Sequence, residues 1–233
     1  MSIPSMPESI PGLEKNFNLL RATVSGGTST TWMDHKKVKF YTNAFIFHGN
    51  KASFERPNYS IELPIISRSY WAIRSLSARC LRFLSWDRYN GFGGKVELGE
   101  TSHEAAAREL EEEAGIKSAL KHIGVLFFLS DSEDCAFHID IYRGDGFAGV
   151  ITESEEMRPE WFSTSADDSP DTGAAPSIPY EQLWETDPYW FPYLLSNTPF
   201  RGRADFRTDS DSGKLLPCKW WFGVLGGFAE VAD

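Results

Sequence analysis

The sequence is poor in cysteine, in basic charge and in long apolar runs, and each shortage narrows what the chain can be. Its three cysteines, Cys80, Cys135 and Cys218, are odd in number, widely separated and match no zinc-ligand spacing. A disulfide framework is therefore not expected, and reduced packing thiols of an intracellular protein are. Lys and Arg total 23 against 33 Asp and Glu, a formal charge of −10. Such a surface repels a phosphate backbone, which argues against stable binding to nucleic acid or to an anionic membrane. An anionic small molecule stays admissible where a divalent cation mediates the contact. No stretch approaches the roughly 18 consecutive apolar residues of a membrane span. The start, Met1-Ser2-Ile3-Pro4-Ser5-Met6-Pro7, has no basic region ahead of an apolar run, so neither secretion nor membrane insertion is expected.

Apolar material is nonetheless ample. Hydrophobic residues make up 41% of the chain and aromatics 14%, with 17 Phe, 8 Trp and 8 Tyr, enough to build a core and to exclude wholesale disorder. The 233 residues suit one elaborated domain. Residues 1–35, rich in Ser, Pro, Gly and Thr, read as a mobile extension with at most one short ordered turn, and residues 36–233 as the domain itself. Phe40–Phe47 reads as a strand that runs into the turn His48-Gly49-Asn50 and opens a hairpin. Ile123–Leu129 and Phe137–Tyr142 read as two more strands, the second alternating between a buried and a wet face. Residues 163–178 have the composition of an inserted surface loop. Segment 51–88 is atypical: it carries seven Lys or Arg against three acids, and Ile73, Leu76, Cys80 and Phe83 recur at helical spacing, the pattern of an ordinary surface helix.

The most informative stretch runs from Asn90 to Ile116. Thr101 with Glu104 three residues later is a capping-box pattern, and Gly115 is a natural residue for the left-handed end of a helix, so a helix is predicted over 102–114. On a helical wheel Ala107, Leu110 and Ala114 share one face while Glu109, Glu112 and Glu113 gather on another. Carboxylates so grouped repel one another unless water or a cation offsets them. The glycine-rich loop just upstream lets backbone approach a ligand closely, and hard oxygen donors suit Mg²⁺ or Mn²⁺.

Gly94, Glu100 and then Arg108-Glu109-Leu110-Glu111-Glu112-Glu113-Ala114-Gly115-Ile116 fill every position of the Nudix signature G-x5-E-x7-R-E-U-x-E-E-x-G-U. The chain thus resembles the Nudix hydrolases. The resemblance implies an α/β fold, the Nudix α/β/α sandwich, with a mixed sheet between helices and a catalytic loop-helix-loop. It implies Mg²⁺-dependent hydrolysis (Mn²⁺ being the alternative ion) of a nucleoside diphosphate linked to another group, with Gly93, Glu109, Glu112, Glu113 and Glu156 as metal-binding positions. Arg108 is expected to orient a glutamate. Glu100 is left as either a water-mediated ligand or a structural residue.

The likeness narrows further, to the MutT-related hydrolases of oxidised purine nucleoside triphosphates. Tyr89–Glu97 is similar to their W-N-G-F-G-G-K-V entry, Glu155–Phe162 to D-E-M-R-P-x-W-F, and Leu183–Pro192 to M-W-x-D-D-x-Y-W-F-P. Carried over position by position, Asn90 hydrogen-bonds the purine edge, Trp184 stacks on the base, Asp187 holds the Watson–Crick edge and Thr42 lines the same pocket. Glu109, Glu112, Glu113 and Glu156 are the catalytic carboxylates, Glu156 being the one that orients or deprotonates the water. Trp161, Trp190 and Phe191 are expected in the core. Thr186 stands where the family has a further aspartate. The family's second strand is not found in 51–88, so the first strand is expected to keep an unpaired edge if that segment adds nothing to the sheet. The expected protein is a cytoplasmic monomer that turns an oxidised purine nucleoside triphosphate (8-oxo-dGTP-like or 2-hydroxy-dATP-like) into monophosphate and pyrophosphate. A Nudix hydrolase of another nucleoside-diphosphate-linked substrate and a catalytically silent Nudix-fold binding module are the alternatives.

Overall fold

The computed structural model describes residues 9–14, 20–48, 70–72, 88–154, 157–164 and 176–225. Its strands are β1 (Leu20–Gly27), β2 (Lys37–Phe47), β3 (Tyr70–Ala72), β4 (Ile116–Lys117), β5 (Leu120–Ser130), β6 (Cys135–Asp145), β7 (Ala148–Gly149), β8 (Trp161–Ser163), β9 (Phe200–Thr208) and β10 (Leu215–Leu225). Its helices are α1 (Ser102–Ala114) and α2 (Asp187–Leu195). The main sheet has six strands in the order β1-β10-β9-β5-β6-β2. The β2/β6 and β5/β9 pairs are parallel and the others antiparallel, so the sheet is mixed as expected.

Alternation along β2 divides the core between the two faces of this sheet. Ala44 and Ile46 pack with Ala106, Leu110 and Ala114 of α1. Phe45 and Phe47 pack with Trp190, Phe191 and Leu194 of α2. A third cluster brings Ile10, Leu13, Leu20 and Ala22 against Val125, Phe127 and Leu129 of β5. Among the described residues no helix is long and apolar enough to cross a membrane.

Several expectations need correction. The N-terminal stretch is not wholly an extension: residues 20–27 form edge strand β1, paired antiparallel with β10, and Ile10 and Leu13 are fully buried. Strand β6 does not present a clean wet face: His138 and Asp140 are partly buried, Tyr142 is buried, and only Asp145 at its end is exposed. Nor is the outer edge of β2 bare. The glycine-rich stretch after Asn90 runs along it: Phe92 N–H donates to Ala44 O (2.9 Å), Thr42 N–H to Gly94 O (2.9 Å) and Val96 N–H to Phe40 O (2.9 Å). Strand β3 pairs with β8 in a separate ladder. The proposed hairpin turn at 49–50, the helical spacing over 73–83 and the middle of the 163–178 loop lie outside the described residues.

Candidate active site

Local chemistry sets α1 in place. The Thr101 hydroxyl accepts from Glu104 N–H (3.2 Å) while the Glu104 carboxylate accepts from Thr101 N–H (2.7 Å), which completes the capping box. Gly115, at φ 70°, closes the helix with its N–H on Glu111 O (2.9 Å). The wheel holds with one adjustment. The buried residues are Ala105, Ala106, Leu110, Glu113 and Ala114, so Glu113 lies on the packed side rather than opposite it. It sits seven positions after Ala106, nearly the same meridian of the helix.

The three carboxylates therefore differ in setting. Glu113 is 5% exposed and accepts from Gly93 N–H at 2.8 Å, whereas the Glu112 side chain is 60% exposed and that of Glu109 14%. A Cβ at position 94 would collide with the Glu109 carboxylate. Glycine there leaves room for the Glu109 carboxylate against the loop.

Arg108 sits among these acids. Its guanidinium donates to Glu100 (2.8 and 3.2 Å), Glu109 (2.9 Å) and Glu112 (3.0 Å). It orients glutamates, as its place in the sequence suggested. The bond to Glu100 is the largest of the effects that push its pKa above its already high ordinary value. In return, Arg108 and then the Glu97 N–H hold the Glu100 carboxyl below the usual range.

Among the described residues no three His, Cys, Asp or Glu side chains converge as a ready-made metal cage. The donors still fit a hard divalent cation. They are carboxylate oxygens at graded exposure, Glu113 on the Gly93 N–H and Glu109 beside Gly94, and a Mg²⁺ site of this type leaves positions to water and phosphate. Glu156 lies outside the described residues. Its neighbour Met157 is 2% exposed and packs in the cluster that holds Leu110 and Ala114.

A second group of polar residues lies on the α2 side of β2. Asn43 Nδ2 donates to Asn90 Oδ1 (2.6 Å). Arg88, two residues before Asn90, lays its guanidinium 4.8 Å from the Trp184 ring centroid. Asp187 is 5% exposed and accepts from Trp184 N–H and from the Trp190 indole N–H, each at 3.0 Å. Burial, only partly offset by these two bonds and by Arg88, pushes the Asp187 carboxyl up to about 7. Thr186 is fully buried, and among the described residues its hydroxyl has no hydrogen-bond partner. Trp190 and Phe191 are core residues and Trp161 packs partly buried against the α1-side cluster, while Trp184 is half-buried.

Trp184 and Asp187 are thus joined directly, while Asn90 is bonded to Asn43 and lies two residues beyond Arg88, which covers the Trp184 ring. Thr42 lies on another face. By alternation it shares the α1 face of β2 with Ala44 and Ile46, and its register partner Asp140 accepts from Ser102 Oγ at the start of α1 (2.6 Å). Asn43 shares the other face, toward α2, with Phe45 and Phe47. Sequence reasoning missed Asn43 and Arg88. The signal for Asn43 was present, since it is two positions from Phe45 and four from Phe47.

A NUDIX domain model matches residues 74–192. An oxidized purine nucleoside triphosphate hydrolase of Mus musculus is 40% identical over 126 residues, 54% of this chain and 73% of that protein. The protein of the same description from Danio rerio is 39% identical over 121 residues, covering 52% and 70%. In fold, the chain is similar to the mutator MutT protein from Bacillus halodurans, with a TM-score of 0.50 at 16% identity over 79% of this chain and 97% of that one.

Proposed function

The chain belongs to the NUDIX family, and from that premise we propose that it hydrolyses oxidised purine nucleoside triphosphates to monophosphate and pyrophosphate. A divalent ion, Mg²⁺ first and Mn²⁺ second, assists the reaction. The carrying observation is the buried Asp187, bonded to the backbone N–H of a half-buried Trp184, in a chain that also bears the complete carboxylate helix. The names of the two vertebrate relatives support the same substrate class.

Gly93, Glu109, Glu112, Glu113 and Glu156 would hold the cation, which when bound neutralises polyphosphate charge and lowers the pKa of an attacking water. The chain's own residues account for the rest. Gly93 N–H fixes the Glu113 carboxylate. Arg108 gathers Glu100, Glu109 and Glu112, so their mutual repulsion is offset before substrate arrives. Glu156 is the base that orients or deprotonates the water. Trp184 offers a π-face on which a purine stacks. Asp187, poised near pH 7, presents either an O–H donor or a carboxylate acceptor to the base edge. Asn90 supplies a further amide group. Thr186 cannot exchange a proton as an aspartate would, which places the proton-dependent part of base reading on Asp187 alone. The protein so proposed is a monomer working on the cytoplasmic nucleotide pool.

The test is a panel of nucleotides incubated with purified protein and Mg²⁺, with pyrophosphate release as readout. Turnover of 8-oxo-dGTP or 2-hydroxy-dATP well above that of dGTP and dATP is expected. Release from dGTP but from no oxidised purine would sink the sanitising role. Turnover confined to dinucleotides or nucleoside-diphosphate sugars would move the chain elsewhere in the family, and no turnover at all would leave a silent binding module.

A further inference from the structure

Trp184 is held in place by a residue to which the proposed chemistry assigns nothing. Arg88 stacks its guanidinium 4.8 Å from the Trp184 ring centroid. The same guanidinium donates to Glu185 Oε1 at 2.5 Å and to the backbone carbonyl of Leu183. It thereby grips the residues on both sides of Trp184 as well as the ring itself. The Arg88 side chain is 24% exposed and that of Glu185 29%, so the pair is partly shielded from solvent.

We propose that Arg88 is a positioning residue: it covers one face of Trp184 and pins the Leu183–Asp187 turn, so that an oxidised purine stacks on the opposite face against a ring that is already fixed. This rests on the oxidised-purine reading above. An unclamped indole has to be ordered when the base arrives, and that cost falls on binding. A planar guanidinium suits the task better than an ammonium, because it can stack and fork to two oxygens at once.

The same residue acts on Asp187. The charged groups that influence that carboxyl are Arg88, which favours the carboxylate, and Glu185, which favours the acid. The uncharged groups on it are the Trp184 N–H and the Trp190 indole. Removing the cation therefore moves Asp187 to a higher pKa and removing the anion to a lower one. A residue that merely filled space would do neither.

The experiment compares wild type, Arg88→Lys, Arg88→Ala and Glu185→Gln with 8-oxo-dGTP as substrate, measuring kcat and KM between about pH 6 and 9 and a thermal melt for each. For Arg88→Ala the expectation is a KM raised roughly 10-fold with kcat within about twofold, and partial recovery in Arg88→Lys. The inflection in KM against pH moves alkaline in Arg88→Ala and acid in Glu185→Gln. A KM that is unchanged or falls in Arg88→Ala overturns the idea, since the arginine would then be idle or competing with the base. Inflections that stay put in both variants overturn it too. Should Arg88→Ala fail to fold, Arg88→Lys and Glu185→Gln decide by the same readouts. If wild type turns over no oxidised purine, the substrate reading has failed and takes this inference with it. If wild type is active and the variants match it, the inference alone has failed.

Discussion

Two carboxyl groups show how much a side chain's setting decides. Glu113 is buried against Gly93 N–H and Glu112 is open to water, yet both belong to the proposed metal-binding set. Replacement by Gln keeps the shape and an acceptor oxygen but removes the negative charge. Glu113→Gln and Glu112→Gln should each lose on the order of 10²-fold or more in kcat, with melting temperatures close to wild type. Near-normal turnover of both at saturating Mg²⁺ would show an acidic face that only water uses. Asp187 leads to a prediction about pH. Its carboxyl rises from 3.8 to about 7 on folding, so between those values the folded state holds more protons than the unfolded one. This contribution to stability is full below about pH 4 and diminishes as pH rises toward 7, by a few kcal/mol at ~1.4 kcal/mol per pH unit. Asp187→Asn should flatten the slope when urea unfolding is compared at about pH 5 and pH 8, and should abolish a near-neutral inflection in KM. A slope unchanged by the substitution would place its origin in another group.

At the scale of elements, the helix α1 and the loop before it make separable contributions. Thr101→Ala removes one side of the capping box and should cost ~1 kcal/mol of stability, seen by chemical denaturation, with little effect on kcat. Gly94→Ala should do the reverse in emphasis, because its new Cβ meets the Glu109 carboxylate and displaces a proposed ligand. Its kcat should drop sharply while the fold persists. Equal effects of the two on kcat would mean that helix integrity, not ligand placement, is what activity senses. The ends of α1 were legible because they are fixed by bonds spanning three or four residues: Thr101 with Glu104, and Gly115 with Glu111. The faces of β2 were not. Its run from Ala44 to Phe47 is apolar on both sides because helices cover both, so alternation groups Asn43 with Phe45 and Phe47 and Thr42 with Ala44 and Ile46, but which group meets α1 and which α2 emerges only once the helices are placed. Segment β1 hid for the opposite reason. Leu20, Ala22 and Val24 do alternate, but Ser, Gly and Thr crowd the sequence after them, and the partner that makes them a strand, β10, lies almost two hundred residues away.

For the whole molecule, that distant pairing is reinforced by a buried ion pair. The side chains of Arg203 and Asp205 are both 0% exposed and meet at 2.9 Å. Arg203 also donates to Pro11 O (2.8 Å) and Met33 O (2.6 Å), and Asp205 accepts from Met33 N–H (2.6 Å). Trp32 stacks over the guanidinium at 4.7 Å. The pair is satisfied only because the N-terminal segments supply these partners, and an ion pair stripped of partners in an apolar interior is strongly destabilising. A chain beginning at residue 36 would lose β1, the buried Ile10 and Leu13, and every one of these bonds except those between Arg203 and Asp205. It would also bare the edge of β10, an invitation to aggregation. Such a chain should be markedly less soluble and melt well below the full-length protein, even though it keeps every residue of the proposed site. Within the full chain, Arg203→Met strands the Asp205 charge and should cost about 3–5 kcal/mol, and adding Asp205→Leu should restore much of that, since a buried pair replaced by apolar groups of similar volume is often neutral. Both are read by chemical denaturation. A shortened chain that melts with the full one would mean that the clamp holds an ornament, and a double variant no better than Arg203→Met would mean that the backbone bonds to Pro11 and Met33, rather than the charge pair, carry the stability.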